Sequence, residues 1–272
     1  MYKKIRIFIS LCTVVILALC VIQYNKELLG DRDIFLKGNG TKNEPYEINT
    51  KEDIIWLREE VNQGTEFRNT YFLQMRDIDL ENEEWIPIGE FDSEKYFFGI
   101  YDGGNHKIYN LKIRGDKCKS SNVGLFGYLE GTICNLGIES GIVEGSYVGA
   151  FTSHSSENAL IANCYNKATI IGTARAGGIA DNFSGTIINC ANEGVIESSC
   201  PAEIVSYNAK NLTNVYPVQN AYTQTFKGSF VQCINEEISG SLDIFEWLNS
   251  GVTYFDENEI FESDLVRKWL IQ

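Results

Sequence analysis

The sequence predicts an all-β chain wound as a right-handed parallel β-helix. An N-terminal capping α-helix, a short C-terminal capping segment and an N-terminal membrane segment complete the expected architecture. Three observations carry this reading. The tetrad Ile-x-Asn-(Leu or Cys) occurs at Ile108–Leu111, Ile133–Leu136, Ile161–Cys164 and Ile187–Cys190, with Val218-Gln219-Asn220-Ala221 as a weaker fifth copy. Its asparagines, Asn110, Asn135, Asn163 and Asn189, are 25, 28 and 26 residues apart. A second register runs beside it, at Val123-Gly124-Leu125-Phe126, Val148-Gly149-Ala150-Phe151, Ala176-Gly177-Gly178-Ile179 and a degenerate Glu203-Ile204-Val205. A fixed period in this range marks a solenoid, in which each repeat buries its apolar face only against its neighbours. Finally, each repeat holds three short apolar runs split by Gly, Asn or Ser, such as Val123–Phe126, Thr132–Leu136 and Gly141–Val143. Three runs per turn with polar corners let equivalent runs stack and inward side chains form continuous ladders. The four asparagines are expected at a corner as a structural ladder, their amides donating and accepting along the axis.

The elements follow in order. Residues 1–25 read as a signal peptide or signal anchor. Met1–Arg6 is basic and Ile7–Ile22 is a run of sixteen residues without charge, the pattern of an export segment. It sets a membrane as partner through residues 7–22, with residues 26–272 outside the cell, or a secreted chain if the leader is cleaved. Leu17-Ala18-Leu19-Cys20 is an imperfect lipoprotein box, so cleavage, lipidation and retention all stay open. Residues 26–37 form a linker. Residues 38–97 form the N-terminal cap. Within it Thr50 and Asp53 make a capping box, Ile54, Leu57 and Val61 recur at helical spacing, and Gly64 stops a helix at Lys51–Gln63. Residues 98–235 are the repeats, with Asn211–Asn214 read as a looped-out insertion. Residues 236–272 form the C-terminal cap, where Leu242, Phe245 and Leu248 share one face of a short helix. An open solenoid end exposes strand edges, so the Lys51–Gln63 helix is assigned to one end and 241–272 to the other.

Charge narrows the partners. The net charge of −14 becomes −18 once the four positive charges of residues 1–26 are set aside. Such a surface repels nucleic acid and anionic lipid, and leaves room for calcium or basic partners. Six cysteines, Cys118, Cys134, Cys164, Cys190, Cys200 and Cys233, follow the leader. Cys164 and Cys190 take the tetrad place of Leu111 and Leu136 and read as small buried hydrophobes, while the disulfide state of all six stays open.

Catalytic motifs are missing. The chain holds two histidines, His106 and His154, both read as structural or without a role, and no Cys/His spacing that suits zinc. Glu139, Glu144, Asp181, Glu193, Asp77 and Asp79 are the carboxylates that a β-helical polysaccharide-cleaving enzyme would draw on. Arg175 is the only arginine between residues 115 and 266, too few for an acidic sugar. No catalytic, cofactor or metal residue is assigned. Tyr128, Tyr147 and Tyr165 lie at run ends and corners and are the candidate ligand contacts, since exposed rings stack on sugars.

The motifs Gly38-x-Gly40-Thr41…Pro45-Tyr46-x-Ile48, Asp77-Ile78-Asp79-Leu80…Trp85-Ile86-Pro87-Ile88-Gly89, Asp102-Gly103-Gly104-Asn105-His106-x-Ile108, Gly124-Leu125-Phe126-Gly127 and Asn163-Cys164-Tyr165-Asn166 closely resemble the bacterial GLUG-motif repeat proteins. The resemblance runs from about residue 38 to 230. It departs at Asp102–His106, where Asp-Gly-Asn-Gly-His is usual, and in having one strong Gly-Leu-Phe-Gly copy. It implies an exported, surface-displayed parallel β-helix of the pectate-lyase-like class, adhesin-like or found beside IgA-cleaving peptidase domains, and it supplies no reaction. The expected function is therefore a membrane-tethered, non-catalytic extracellular β-helix for adhesion or for binding a glycan or a host or matrix protein. A polysaccharide lyase or glycoside hydrolase, and a structural spacer of a surface assembly, are the alternatives.

Overall fold

A computed structural model describes residues 36–118, 120–202, 204–207, 211–217, Phe245, Leu248 and Asn249. They form a parallel β-solenoid of about six turns with little helix. Three sheets make its sides. The first stacks Tyr46–Ile48, Tyr71–Gln74, Ile100–Tyr109, Thr132–Ile138, Leu160–Ala162 with Tyr165–Asn166, Thr186–Asn192 and Asn211–Pro217. The second stacks Leu111–Arg114, Gly141–Gly149, Thr169–Gly177 and Ile196–Ser198, and the third stacks Phe126–Leu129, Thr152–Ser155, Ala180–Asn182 and Val205–Tyr207. Each strand pairs in parallel with its counterpart one turn away.

The core is a set of register-matched ladders. Tyr101, Ile133, Ile161 and Ile187 occupy one position in four successive turns, and all are fully buried. Ile78, Ile108 and Ile138 form another. The Val-Gly-Leu-Phe register proves to be a corner. Val123 ends a strand of the second sheet, Phe126 begins the third, and Gly124 and Leu125 turn between them. A Cβ on Gly124 would lie 2.6 Å from the Gly149 carbonyl, so only glycine lets adjacent corners nest.

The helix spans Lys51–Gln63, with Thr50 and Asp53 bonded reciprocally as a capping box and Gly64 left-handed at φ 108°. Its buried residues Ile54, Leu57 and Val61 join the core. Asn62 donates to the Pro87 carbonyl at 3.0 Å and accepts from the Gly89 N–H at 2.7 Å, while Lys51 pairs with Glu83 at 3.0 Å. The helix thus lies across the opening turn, tied at both ends.

Two registers differ from the sequence reading. Asp102 pairs with Cys134 and His106 with Leu136, so Gly103-Gly104-Asn105 stand opposite Asn135 alone. The first repeat therefore meets Asn135 through Asp102–His106, and Asn110 belongs to a different corner. At the other end, Asn211–Pro217 is not looped out. It is a strand in which Leu212, Thr213 and Val215 pair with Ile187, Ile188 and Cys190. Leu212-Thr213-Asn214-Val215 is therefore the next tetrad in backbone register. Leucine in place of isoleucine hid it. Val218–Ala221, the copy expected there, lies outside the described residues.

Of the expected C-terminal cap only Phe245, Leu248 and Asn249 are described. Phe245 meets the Tyr165 ring edge-on at 5.4 Å and lies 5.5 Å from the Lys107 ammonium. Leu248 is buried, and its carbonyl accepts from Asn189 at 3.0 Å. These residues cross the flank of the first sheet over several turns. Asn189 donates to the Leu248 carbonyl as well as to Asn163, and Tyr165 packs against Phe245, so the flank supplies partners. The leader and Ile7–Ile22 lie outside the described residues. Among the described residues no helix is long and apolar enough to cross a membrane.

Candidate ligand-binding flank

The third sheet places one side chain per turn at the same position: Tyr128, His154, Asn182 and Tyr207. Phe97 bridges Leu129 in parallel, which sets Tyr96 beside Tyr128, with ring centroids 4.2 Å apart. Phe91 stacks on two of these rings. Its centroid lies 5.5 Å from Tyr128 at 20° between planes and 4.8 Å from His154 at 22°. The loop that delivers Phe91 is tied down. Glu90 and Lys95 exchange backbone hydrogen bonds of 2.6 and 3.1 Å, Ser93 donates to the Glu90 carboxylate at 2.7 Å, and the Lys95 ammonium donates to the Asn62 carbonyl. Phe91 nonetheless stays 41% exposed and Tyr207 45% exposed.

Beside this column the Arg175 guanidinium lies between Tyr147 at 4.7 Å and Tyr207 at 4.6 Å. It makes two parallel bonds of 2.9 Å to the Asp181 carboxylate, the bidentate geometry that arginine favours. Asp181 is fully buried and also accepts from Ser206. The pairing with Asp181 raises the Arg175 pKa further above its ordinary value. Burial lowers the His154 pKa below its usual value, outweighing the opposing pull of Asp181. That ring is therefore uncharged at neutral pH. Burial, helped by Glu130, raises the Tyr128 hydroxyl, and burial with Glu94 and Glu130 raises Tyr96.

The three tyrosines singled out from sequence part company. Tyr128 stands in the column and Tyr147 adjoins it through Arg175. Tyr165 belongs to the first sheet and is fully buried, which corrects its assignment as a ligand contact. Its ring lies over Gly137, where a Cβ would come within 2.4 Å of it. Its hydroxyl donates to Glu139, and burial with that carboxylate pushes its pKa far up. Sequence reasoning missed Phe91, Tyr96, Tyr207 and the Arg175–Asp181 pair, and gave His154 no role in a site. The signal was present. His154, Asn182 and Tyr207 each stand two residues after a position in register with Phe126, as Tyr128 does.

The asparagine corner has no such opening. Asn189 donates to Asn163 at 2.9 Å, Asn163 to Asn135 at 2.8 Å, and Asn135 to Asp102 at 2.9 Å. Asn110 instead donates to Asp79 at 2.8 Å, a bond that lowers the Asp79 pKa. Both columns begin on an aspartate, an acceptor with no donor demand of its own. All four asparagines are left-handed, with φ between 51° and 56°, which asparagine tolerates better than other non-glycine residues.

The carboxylates weighed for catalysis are mostly engaged. Glu139 serves Tyr165 and Lys167, Glu193 serves Lys167, Asp77 accepts from the Lys107 N–H, and Asp79 and Asp181 are held as described. Among the described residues no group of three or more His, Cys, Asp or Glu could hold a metal ion. Cys118, Cys134, Cys164, Cys190 and Cys200 are free thiols; Cys233 lies outside the described residues.

The fold and flank define the class: a parallel β-solenoid with an outward aromatic column. No family model matches the chain. It is similar to Halomucin of Haloquadratum walsbyi, 29% identical over 154 residues, covering 52% of this chain and 2% of that protein. It is also similar to a candidate Gly-rich membrane protein of Evansella cellulosilytica, 30% identical over 137 residues, covering 46% of this chain and 15% of that protein. The chain thus spans a small part of the relatives it matches. Among solved structures it resembles a candidate immunoglobulin A1 protease of Bacteroides ovatus, with 23% identity, a TM-score of 0.47, and coverage of 65% of this chain and 67% of that one.

Proposed function

We propose that this chain is a non-catalytic, GLUG-type solenoid displayed at the cell surface, which binds glycan through the aromatic flank of its third sheet. The observation that carries the reading is the set of rings Tyr96, Tyr128 and His154, in register with Tyr207, with Phe91 stacked on two of them from its tied loop, and still partly open to solvent. Rings fixed in place bury ligand surface at little entropic cost, and sugars present flat apolar faces to them. The export-like leader and similarity to a candidate membrane protein support a surface location. The engagement of Glu139, Asp79 and Asp181 in structural bonds weighs against a lyase or hydrolase, which needs a carboxylate pair free to face substrate.

The test is to screen the full-length chain on glycan and matrix-protein arrays beside Phe91→Ala. Glycan signals that Phe91→Ala weakens are expected. Silence on every glycan, or signals indifferent to Phe91, would overturn the reading.

A further inference from the structure

Resting on the glycan reading, the charges around the flank define what kind of glycan fits. Asp92 and Glu94 are exposed in the loop that carries Phe91, and Glu130 is half-buried two residues after Tyr128. None of the three is held in an ion pair among the described residues. Among the described residues nearby, Arg175 is neutralised by Asp181 and Arg68 by Glu66, with the Phe98 ring against it; Lys95 keeps its charge with its ammonium tied to the Asn62 carbonyl, a single cation against three carboxylates. His154 adds no charge at neutral pH. The flank therefore presents aromatic rings bordered by unneutralised carboxylates. Aromatic faces attract cations and the carboxylates deepen that attraction, whereas a uronate or sialate would meet, among the described residues, three carboxylates against the one charge of Lys95.

Geometry sets the orientation. Tyr96, Tyr128, His154, Asn182 and Tyr207 occupy successive turns, and turns rise ~4.8 Å each, so the column extends roughly 19 Å along the axis. Polar and aromatic groups thus recur at nearly the repeat of one sugar in an extended chain. A basic peptide fits less well. Peptides dock on sheet edges or in grooves, and here the backbone groups of the third sheet are taken up between its own turns.

We infer that the third-sheet flank binds a positively charged amino-sugar polymer, laid lengthwise along the solenoid with about one sugar per turn, its ammonium groups facing Asp92, Glu94 and Glu130.

Calorimetry on the full-length chain tests this with glucosamine oligomers of two to six units, their N-acetylated counterparts, oligogalacturonate and oligolysine. Glucosamine oligomers should bind best, with affinity rising to about four or five units and then levelling. Phe91→Ala should weaken them roughly three- to tenfold, and the double variant Glu94→Gln, Glu130→Gln should remove the preference over N-acetylated oligomers while leaving circular dichroism unchanged. Equal binding of N-acetylated oligomers, or tighter binding of oligogalacturonate, would overturn the charge inference and leave the glycan reading standing. Phe91-dependent binding of oligolysine at equal affinity would overturn it in favour of a basic protein. Failure of every glycan would remove the glycan reading itself.

Discussion

The first-sheet corner and the third-sheet flank are both columns of one side chain per turn, yet they do opposite work. At the corner, Asn135, Asn163 and Asn189 are buried and pass hydrogen bonds down to Asp102. Their polar groups are occupied by neighbours above and below, so nothing remains to offer a ligand. On the flank, Phe91, Tyr128 and His154 stack just as regularly, but Phe91 and Tyr207 keep more than a third of their surface in water. Repetition in a solenoid multiplies whatever a position does. Facing inward it multiplies stability, and facing outward it multiplies contact area for a partner.

Breaking the inner column should show the larger effect. Asn163→Leu removes the acceptor for Asn189 and the donor for Asn135 in a place without water, and puts a bulky side chain at φ 55°. Each stranded buried group costs ~1–3 kcal/mol and the backbone adds ~1 kcal/mol, so a loss of about 3–7 kcal/mol is expected in urea unfolding. A loss below about 0.5 kcal/mol, the range of neutral surface changes, would mean that the amide chain is incidental to the fold. Asn110→Leu tests the corrected register. Asn110 is outside the buried column and bonds a solvent-exposed Asp79, so it should cost less than Asn163→Leu.

The flank should respond next. Arg175→Leu leaves the fully buried Asp181 with Ser206 and no cation. Breaking a buried pair costs ~3–5 kcal/mol, but the Arg175 side chain is 25% exposed and water can reach the gap. About 2 kcal/mol is therefore expected, with a loss of ligand affinity because Tyr147 and Tyr207 lose the plate between them. An effect on affinity without one on stability would recast Arg175 as a direct ligand contact rather than a spacer.

How much of this was legible in the sequence follows from the same contrast. The periodic asparagines and the Val-Gly-Leu-Phe copies announced stacked turns because buried positions accept few residue types, and Thr50, Asp53 and Gly64 announced a helix by local chemistry alone. The first and last tetrads were misread where composition drifts. Two additional residues at Gly103–Asn105 displaced the true partner of Asn135, and Leu212 replaced the expected isoleucine. The flank was nearly invisible, because outward positions tolerate Tyr, His and Asn alike, so no single residue type recurs. Tyr165 misled in the other direction, since nothing local reveals that its ring folds over Gly137 in the preceding turn.

His154 provides the smallest and sharpest probe of the flank. Its ring is stacked on Phe91 at 4.8 Å, and burial holds its pKa below the usual value. The unfolded chain carries an ordinary imidazole of pKa ~6.5 and binds a proton there more readily than the folded chain does. The unfolded state is therefore favoured as pH falls through about 6.5, and stability should rise with pH across that window. His154→Gln removes the titrating group and should flatten this part of the profile, read as the urea midpoint between about pH 7.5 and pH 5.5, above the range in which most carboxylates titrate. Coincident slopes for the two proteins would mean that the ring takes up its proton without leaving the stack, and that the flank is wetter and looser than the spacing of its rings implies.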